Sequence, residues 1–444
     1  MSALVSIALF GWVPASLLAF AMLRPHRAVL VTTIGGWLFL PTAKLDLPGL
    51  PPYTKATAIA LGLICGVLLI GRRGRSRFVF RLIDLPVIVL CLGSFLTSLS
   101  NDLGLYDGFS ATFQKVVFWG VPYMFGRIYF TSAEHLRDLA LGLVIGGIVY
   151  GVLCLYEIRM SPRLNLHVYG FLQHDWRQHK RYGGWRPLVF MHHGLMVALW
   201  MALTTIVAFW VWRCRIVTRI RRLPQALATM ALAVTAVLCK SAGAWMALAL
   251  GVGAYYLHEN LRMRWVIVVM LLVFPVYVSV RIAGIVSTEQ VEALAHHIFD
   301  AERVDSLVFR LAQEDPFVAW TLNRPLLGWG GHGRNWPVDL ISGAETVDVV
   351  DAQWLTLFSK SGLVGLFSFC ATFMAGPLLA LRVVARLVRP DPLLRIMPVI
   401  LCLPVGLFLI DSLFNGMPSP VYTLVAGALA GFGVTRPRSC KSNR

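Results

Sequence analysis

Long apolar runs constrain this chain more than any other feature. Stretches such as "ALVSIALFGWVPASLLAFAML" and "WVIVVMLLVFPVYV" approach the ~20 residues with which an α-helix crosses a bilayer. Because lipid offers the backbone no hydrogen-bond partner, such runs predict helices and not barrel strands. With 57% hydrophobic and only 14% charged residues, the composition excludes an ordinary soluble domain. We count about 13 predicted spans, near residues 3–22, 28–43, 55–70, 83–100, 108–126, 137–156, 191–212, 224–239, 242–257, 265–283, 362–381, 396–411 and 418–435.

Basic residues cluster in the short loops on one predicted side of these spans. Loops after odd-numbered spans carry "RPHR", "GRRGRSRFVFR", "RCRIVTRIRR", "RMR" and "RVVARLVRPDPLLR", and the chain ends in "RPRSCKSNR". By the positive-inside rule this side is cytoplasmic, which places the N-terminus outside and the C-terminus inside. The first run lacks a basic region before it, so we expect a retained helix and not a cleaved signal. Most of the net charge of +18 therefore comes from residues that set the orientation in the membrane, and no nucleic-acid partner is expected.

Two long external segments, 157–190 and 284–361, differ from the other external turns because they carry cations. The first contains "QHDWRQHKRYGGWRPLVFMHHG", and the second carries Arg303, Arg310, Arg324, Arg334 and Lys360. Arginine forks beside glycines and aromatic residues suit an anionic ligand with an apolar or sugar group. The alternative is that loops of this length translocate whatever their charge.

No metal site is predicted. The histidines of the first external segment, His174, His179, His192 and His193, match no standard zinc spacing and are accompanied by no carboxylate cluster. Six of the eight cysteines lie in apolar runs, and there is no C-x-x-C motif. We expect them to be small buried hydrophobic residues.

Two charged residues lie near the ends of predicted spans, and for the first the sequence leaves two alternatives. Lys240 lies in "VLCKSAGAW", the tight turn between two short predicted spans. Its ammonium group either snorkels to water or faces a cavity as a phosphate partner. Arg281 stands at the end of a predicted span and is expected only to snorkel.

The second external segment combines a helix, a glycine-rich loop and an acidic stretch. Apolar residues at helical spacing predict an amphipathic helix on the membrane surface or over the spans: Val304, Leu307, Val308 and Leu311. In "NRPLLGWGGHGRNW", Pro325 is expected to end that helix and the glycines to form a tight loop. Asp351 begins the next predicted helix, either as its cap or as a base that faces an external cavity.

Four motifs in a fixed order resemble the bacterial O-antigen ligase and O-antigen polymerase superfamily. They are "RYGGWRPLVFMHHGL", "CKSAGA", "RLAQEDPFVAWTLNRPLLGWGG" and "DAQWLTLFSKSGLVGL". The last two are similar to the family's "R…PLLGxGxG" and "HN or DN-x-YL…xGLxGL" stretches. The likeness covers residues 180 to 370 in motif and the whole chain in span pattern. It implies an all-α, GT-C-like membrane domain over residues 1–444.

The resemblance also implies roles for individual residues. Arg181 or Arg186 matches the family arginine before the middle span, and Lys240 stands where a second arginine is usual. Asp351 stands where ligases place a histidine, which favours polymerase-like members, in which an aspartate is common. We expect the diphosphate-binding residues to be Arg181, Arg186, Lys240, Arg310, Arg324 and Arg334, and the catalytic candidates to be Asp351 and then His332.

The activity implied by the resemblance is glycan transfer at the periplasmic face of the bacterial inner membrane. The donor would be an undecaprenyl-diphosphate-linked glycan and the acceptor a sugar hydroxyl, with inversion and with neither metal nor cofactor. A polymerase of O-antigen or exopolysaccharide units is favoured, and a ligase that uses a lipid A-core acceptor is the alternative. A transporter or flippase is the alternative from another class, but no internal repeat is visible. Membrane lipid and other polysaccharide-assembly proteins are the remaining expected partners.

Overall fold

The computed structural model describes residues 3–70, 79–220, 222–263, 265–286, 288–295, 301–338, 350–387 and 391–435. Within these ranges the side chains of Trp176 and of most residues between 288 and 310 are not described. Nearly all the regular structure is helical. Two antiparallel pairs of two-residue strands accompany the helices: β1 (Lys180–Arg181) with β2 (Gly184–Trp185), and β3 (Arg219–Ile220) with β4 (Leu223–Pro224).

The helices follow one another with short connections over most of the chain. In order they are α1 Ala3–Met22, α2 Pro25–Leu30, α3 Gly36–Phe39, α4 Lys55–Cys65, α5 Leu85–Ser100, α6 Gly104–Lys115, α7 Val121–Tyr129, α8 Ala133–Met160 and α9 Leu164–Tyr169. They continue with α10 Gly194–Arg213, α11 Gln225–Leu238, α12 Ala242–Tyr255, α13 Val266–Ile282, α14 Thr288–Ala295, α15 Ala301–Thr321, α16 Gln353–Arg386, α17 Pro392–Asp411 and α18 Pro420–Val434. Five-residue π-helical segments adjoin some of them at Val31–Gly35, Gly66–Ile70, Val116–Gly120 and Tyr256–Asn260.

Six helical segments of the described chain are long and apolar enough to cross a membrane. They are Ala3–Met22, Leu82–Ser100, Ala133–Met160, Gly194–Arg213, Gln353–Arg386 and Pro392–Asp411. Shorter apolar helices lie at Lys55–Ile70, Gln225–Leu238, Val266–Ile282 and Pro420–Val434. Large apolar side chains such as Ile7, Leu92 and Val152 are exposed on the outside of the bundle, where lipid would cover them. The chain is an all-α, membrane-embedded protein, as its composition predicts.

Helices α10 and α17 form the centre of the bundle. In the most apolar window of α10, 89% of the residues are buried inside the protein, compared with 22% for α1 at the periphery. Helix α10 packs against α8, α11, α12 and α17. Its aromatic residues Trp200 and Trp210 are fully buried. A central helix of this kind is apolar on all sides because every face contacts another helix.

Contacts between loops place both long predicted external segments at one end of this bundle. The Tyr169 hydroxyl donates to the Phe39 carbonyl at 2.7 Å, which joins the α8–α10 connection to the segment after α3. That segment also accepts a hydrogen bond from Tyr106 at the Leu50 carbonyl. The α5–α6 turn in turn contacts the glycine-rich loop, where the Asn101 amide donates to a carbonyl at 3.0 Å. We call this the loop end of the bundle.

One sequence-predicted helix boundary is wrong. Helix α15 continues through Pro316 and ends at Thr321, before Pro325 is reached. Helix α16 begins at Gln353, next to the start predicted at Asp351, and passes through a non-helical kink at Gly362 (φ 59°, ψ −162°) between two helical stretches.

Arg281 is buried, contrary to the expectation that it snorkels. Its Nε donates to Glu314 of α15 at 2.7 Å, and its Nη2 donates to Asp315 at 2.8 Å. The Arg281 and Glu314 side chains are each only 3% exposed, and the Tyr277 hydroxyl also donates to Glu314. This ion pair holds α15 against α13, and α15 in turn covers the loop end of the bundle.

Candidate functional site

A tight hairpin carries the first sequence-predicted cation. Strands β1 and β2 pair Arg181 with Gly184, and the two turn residues, Tyr182 and Gly183, have φ values of 48° and 69°. Two successive positive φ values are those of a type I′ turn, which matches the natural twist of a hairpin. The Tyr182 ring stacks on Trp245 of α12 at 5.7 Å. The hairpin is thereby held against the α11–α12 turn with the Arg181 side chain exposed.

Lys240 and Arg186 join this hairpin to the α11–α12 turn. The Arg186 Nη2 donates to the Lys240 carbonyl at 2.7 Å, although 54 residues separate them. The Lys240 ammonium donates to the Tyr182 carbonyl at 3.0 Å. Lys240 also has a φ of 52°, a left-handed conformation that an L-residue adopts only at a cost. Arg181, Arg186 and Lys240 thus form one group, which we call the cationic patch.

Two cations of the patch, Arg181 and Lys240, have little local charge neutralisation. Within the described ranges, neither Arg181 nor Lys240 lies within ion-pair distance of a carboxylate. Gly184 allows Lys240 to approach closely, since a Cβ at residue 184 would overlap the Lys240 Nζ. Uncompensated cations at the loop end can bind an anion.

Asp351 lies in the described chain two residues before α16 and is exposed. The N-cap residue of α16 is Ala352, so Asp351 does not hold the position that the capping interpretation gave it. Its carbonyl oxygen lies beside Gly416, where a Cβ would be 3.0 Å away. Asp351 also lines a small cavity together with Glu314.

A second carboxylate, Asp411, was not among the sequence-predicted site residues. It ends α17, and its Oδ1 accepts a hydrogen bond from the Asn415 amide at 2.8 Å. A Cβ at Gly243, close to Lys240 in sequence, would lie 3.6 Å from Asp411 Oδ1. The α17–α18 loop therefore connects the α11–α12 turn with the segment that carries Asp351. The sequence feature that could have indicated Asp411 is its position as an aspartate at the end of an apolar run.

Arg324 and Arg334 form a separate group around the α5–α6 turn. The Arg324 Nη1 donates to the Asn101 side chain at 2.8 Å, and the Arg334 Nη1 donates to the Asn101 carbonyl at 2.6 Å. The Arg324 guanidinium lies over the Trp329 ring at 4.8 Å. Both arginines are exposed, but each already donates hydrogen bonds to carbonyl groups of the protein. The hydrogen-bond partner shared by these two arginines lies on the α5–α6 turn, whereas the cationic patch bonds across the hairpin and the α11–α12 turn.

His332 belongs to this second group. Its Nε2 lies 2.7 Å from Asp107 Oδ1, and the other oxygen of Asp107 accepts from the Ser98 hydroxyl at 2.7 Å. The His332 side chain is 69% exposed and has a strained φ of 59°. A carboxylate that orients an exposed imidazole is the arrangement of a general base. The helix that carries Arg310 is described, but the Arg310 side chain lies outside the described residues.

The glycine-rich loop docks on the kink of α16 through backbone atoms. The Leu363 amide donates to the Pro325 carbonyl at 2.7 Å, and the Trp329 amide donates to the Ser359 carbonyl at 2.8 Å. Gly328 has a φ of 68°, and a Cβ there would lie 2.7 Å from the Gly362 nitrogen. Gly328 is therefore required by this close packing and not only by a turn.

Replacing Gly362 with alanine is expected to destabilise the protein. Its φ of 59° disfavours an L-residue, and the new Cβ would overlap the Leu326 carbonyl. Strain of this kind costs about 1–3 kcal/mol before the overlap is counted. The thermal unfolding midpoint in detergent should fall. Gly331→Ala is the matched control, because no atom lies within 4 Å of a Cβ there, and a fall of equal size would contradict the prediction.

Three histidines that the sequence left unassigned converge beside the patch. The ligand atoms of His174, His179 and His193 all lie within 4.8 Å of one another. Burial first, and then His193 and His174, lower the pKa of His179 to about 3. Burial and His174 lower the pKa of His193 to about 4. Both imidazoles are therefore neutral at physiological pH, the form that binds metals.

No protein-family model matches the chain, and no curated protein is significantly similar to it.

Proposed function

We propose that this protein is a glycosyltransferase that takes a glycan from an undecaprenyl-diphosphate donor and transfers it to a sugar hydroxyl. The reaction would occur at the loop end of the bundle, facing the periplasm, in the inner membrane of a bacterium. Polymerisation of O-antigen or exopolysaccharide repeat units is the favoured form, and ligation onto a lipid A-core acceptor is the alternative form.

The cationic patch is the observation that carries this proposal. Two cations from segments far apart in sequence are joined at one end of an apolar bundle, through the 2.7 Å bond from Arg186 to the Lys240 carbonyl. Retaining strained backbone at Lys240 requires compensation from the surrounding structure and is typical of functional positions. A lipid diphosphate is anchored by its apolar chain, so its charged group meets the protein at such a membrane-adjacent position.

The chemistry that this arrangement can support is simple. Neutralising the diphosphate makes it a good leaving group, so Arg181, Arg186 and Lys240 would replace a general acid by electrostatics. A single base then suffices to accept the proton of the acceptor hydroxyl, and Asp351 is our candidate. Attack on the side opposite the diphosphate would invert the anomeric centre. No step in this scheme needs a metal or a nucleotide.

Turnover of a defined undecaprenyl-diphosphate oligosaccharide by the purified protein tests the proposal. A ladder of repeat units would identify a polymerase, and transfer of one glycan to a lipid A-core acceptor would identify a ligase. Movement of the lipid-linked glycan across vesicles without a change in its covalent structure would overturn the proposal in favour of a flippase.

Lys240→Met is expected to weaken use of the donor by roughly 10- to 150-fold, since losing a charge-assisted partner costs ~1.5–3 kcal/mol. Methionine keeps the length of the stem but removes the charge and the hydrogen bond to Tyr182. The measurement is kcat/KM for the donor. Lys44→Met is the control, because Lys44 is an exposed lysine of the segment that also carries Leu50 at the loop end. Equal activity of the two variants would place the diphosphate site elsewhere.

The proposed orientation has its own test. A membrane-impermeant thiol reagent added to intact cells should label Gln178→Cys, which lies in the α8–α10 connection. It should not label Arg219→Cys, which lies in β3 at the other end of α10. The unsubstituted protein gives the background from its own cysteines. Labelling at residue 219 and not at residue 178 would show that the protein has the opposite orientation in the membrane.

A further inference from the structure

The chain brings three imidazole rings together beside the hairpin, from residues that are distant or irregularly spaced in sequence. His174, His179 and His193, the histidine cluster, have ring centroids 5.0 to 5.2 Å apart. The Arg186 amide donates to the His179 carbonyl at 2.8 Å and so fixes the base of the hairpin. His193 precedes α10 as its N-cap residue. The cluster thus joins the α8–α10 connection to the start of the central helix.

His179 lacks the partners that a buried histidine normally has. It is only 1% exposed. Neither of its ring nitrogens has a hydrogen-bond partner among the described residues. Buried polar side-chain atoms are nearly always paired, so two unpaired nitrogens on one ring require an explanation. A bound ion among the three rings would supply one.

The donor set selects the class of ion. All three ligands are imidazole nitrogens, and no carboxylate or thiol belongs to the cluster in the described chain. Imidazole suits zinc, copper and nickel, whereas magnesium and calcium require oxygen ligands. Zinc–nitrogen bonds of about 2.0–2.1 Å place two tetrahedral ligands roughly 3.4 Å apart. The ligand atoms, now at most 4.8 Å apart, would therefore have to move closer together when the ion binds.

We propose that His174, His179 and His193 bind one divalent transition-metal ion of the zinc class, with a fourth position left for water or an anionic oxygen. The ion would link the residues before the hairpin to the N-terminus of α10. This inference does not depend on glycan transfer, and it differs from the sequence-based expectation of no metal. That expectation considered spacing along the chain, whereas the fold determines which rings meet.

The hydrogen bonds of the cluster impose one requirement on binding. His193 Nδ1 accepts the Leu195 amide at 3.1 Å, so the neutral ring carries its proton on Nε2. Neither nitrogen then offers a free lone pair, and His193 must release this capping bond when it binds the ion. When His174 Nδ1 donates to the Asp175 carbonyl 3.5 Å away, the Nε2 lone pair is left for the ion.

Titration of the chelator-treated, detergent-purified full chain with Zn²⁺ alone tests the proposal. We expect one ion per chain and a thermal midpoint that rises with zinc concentration. Cobalt in place of zinc should give the intense visible spectrum of a tetrahedral site. His179→Ala and His174→Gln should each lower the affinity about 100-fold or more, since even outer-shell losses reach that size.

His192→Ala is the matched control, because His192 adjoins His193 but lies outside the cluster. It should keep one zinc ion per chain. His174→Gln guards against misfolding, because His174 is only half-buried and its loss leaves the hairpin contacts intact. Zinc binding that is absent from the unsubstituted protein, or that survives in both cluster variants, would overturn the proposal. Zinc binding without glycan transfer would leave this site in place and remove only the proposed function.

Discussion

Replacing Asp351 with asparagine is expected to lower the rate of the proposed glycan transfer by ~10²–10⁴, the usual effect of losing a general base. Asparagine has nearly the same shape but cannot accept the proton of the acceptor hydroxyl. Since Ala352 and not Asp351 holds the N-cap position of α16, the change should not be confounded by loss of a cap. The measurement is kcat at saturating donor, with expression and thermal midpoint compared alongside.

Asp46→Asn is the control for this substitution. Asp46 is an exposed aspartate in the segment between α3 and α4, which also contacts the loop end. It should retain normal transfer. Full activity in Asp351→Asn would remove Asp351 as the base and leave His332 as the next candidate. Asp107 orients the His332 ring through a 2.7 Å contact. If His332 is the base, Asp107→Asn and His332→Ala should therefore lower the rate to a similar extent.

Glu314→Ala is expected to destabilise the cover of the loop end by about 3 kcal/mol, the lower part of the range for breaking a buried ion pair. The change leaves the buried Arg281 guanidinium without its closest carboxylate, and the Tyr277 hydroxyl without its acceptor. Asp315 remains bound to Arg281 and reduces the loss. We expect a lower thermal midpoint and faster proteolysis within α15.

Asp315→Ala provides a matched comparison one residue further along the same helix. Its side chain is 61% exposed, although it also pairs with Arg281 at 2.8 Å. Exposed ion pairs contribute about 0–1 kcal/mol because water screens them. The two variants should therefore differ clearly in stability. If Asp315→Ala were as damaging as Glu314→Ala, burial would not be what makes the Arg281–Glu314 pair important.

Hydrophobic pattern alone predicted most of the helices. Each of the predicted spans overlaps a helical segment, because apolar runs in a membrane protein have few conformational alternatives. The amphipathic helix of the second external segment was also predicted, and Leu311 on its apolar side is 1% exposed. The pattern did not reveal the kink at Gly362, since a glycine inside an apolar run does not disclose its backbone conformation.

The candidate site was less predictable because its parts meet only in three dimensions. The sequence marked Arg186 and Lys240 as cations, but their 2.7 Å contact depends on the hairpin and on the α11–α12 turn. Arg281 was misjudged because its partner, Glu314, is more than thirty residues away. The histidine cluster was missed for the same reason, since no local spacing rule describes ligands on a loop and a helix cap.

The docking of the glycine-rich loop on α16 also determines how this chain can be recombined with others. Pro325, Leu326 and Trp329 bind the segment from Ser359 to Val364 through backbone atoms. Neither segment brings a complete set of partners by itself. A graft that imports the loop alone would place foreign backbone against the kink at Gly362, whereas exchanging residues 324–336 together with 359–364 transfers a matched pair. Chimeras of this chain with other proteins should therefore exchange these two stretches together.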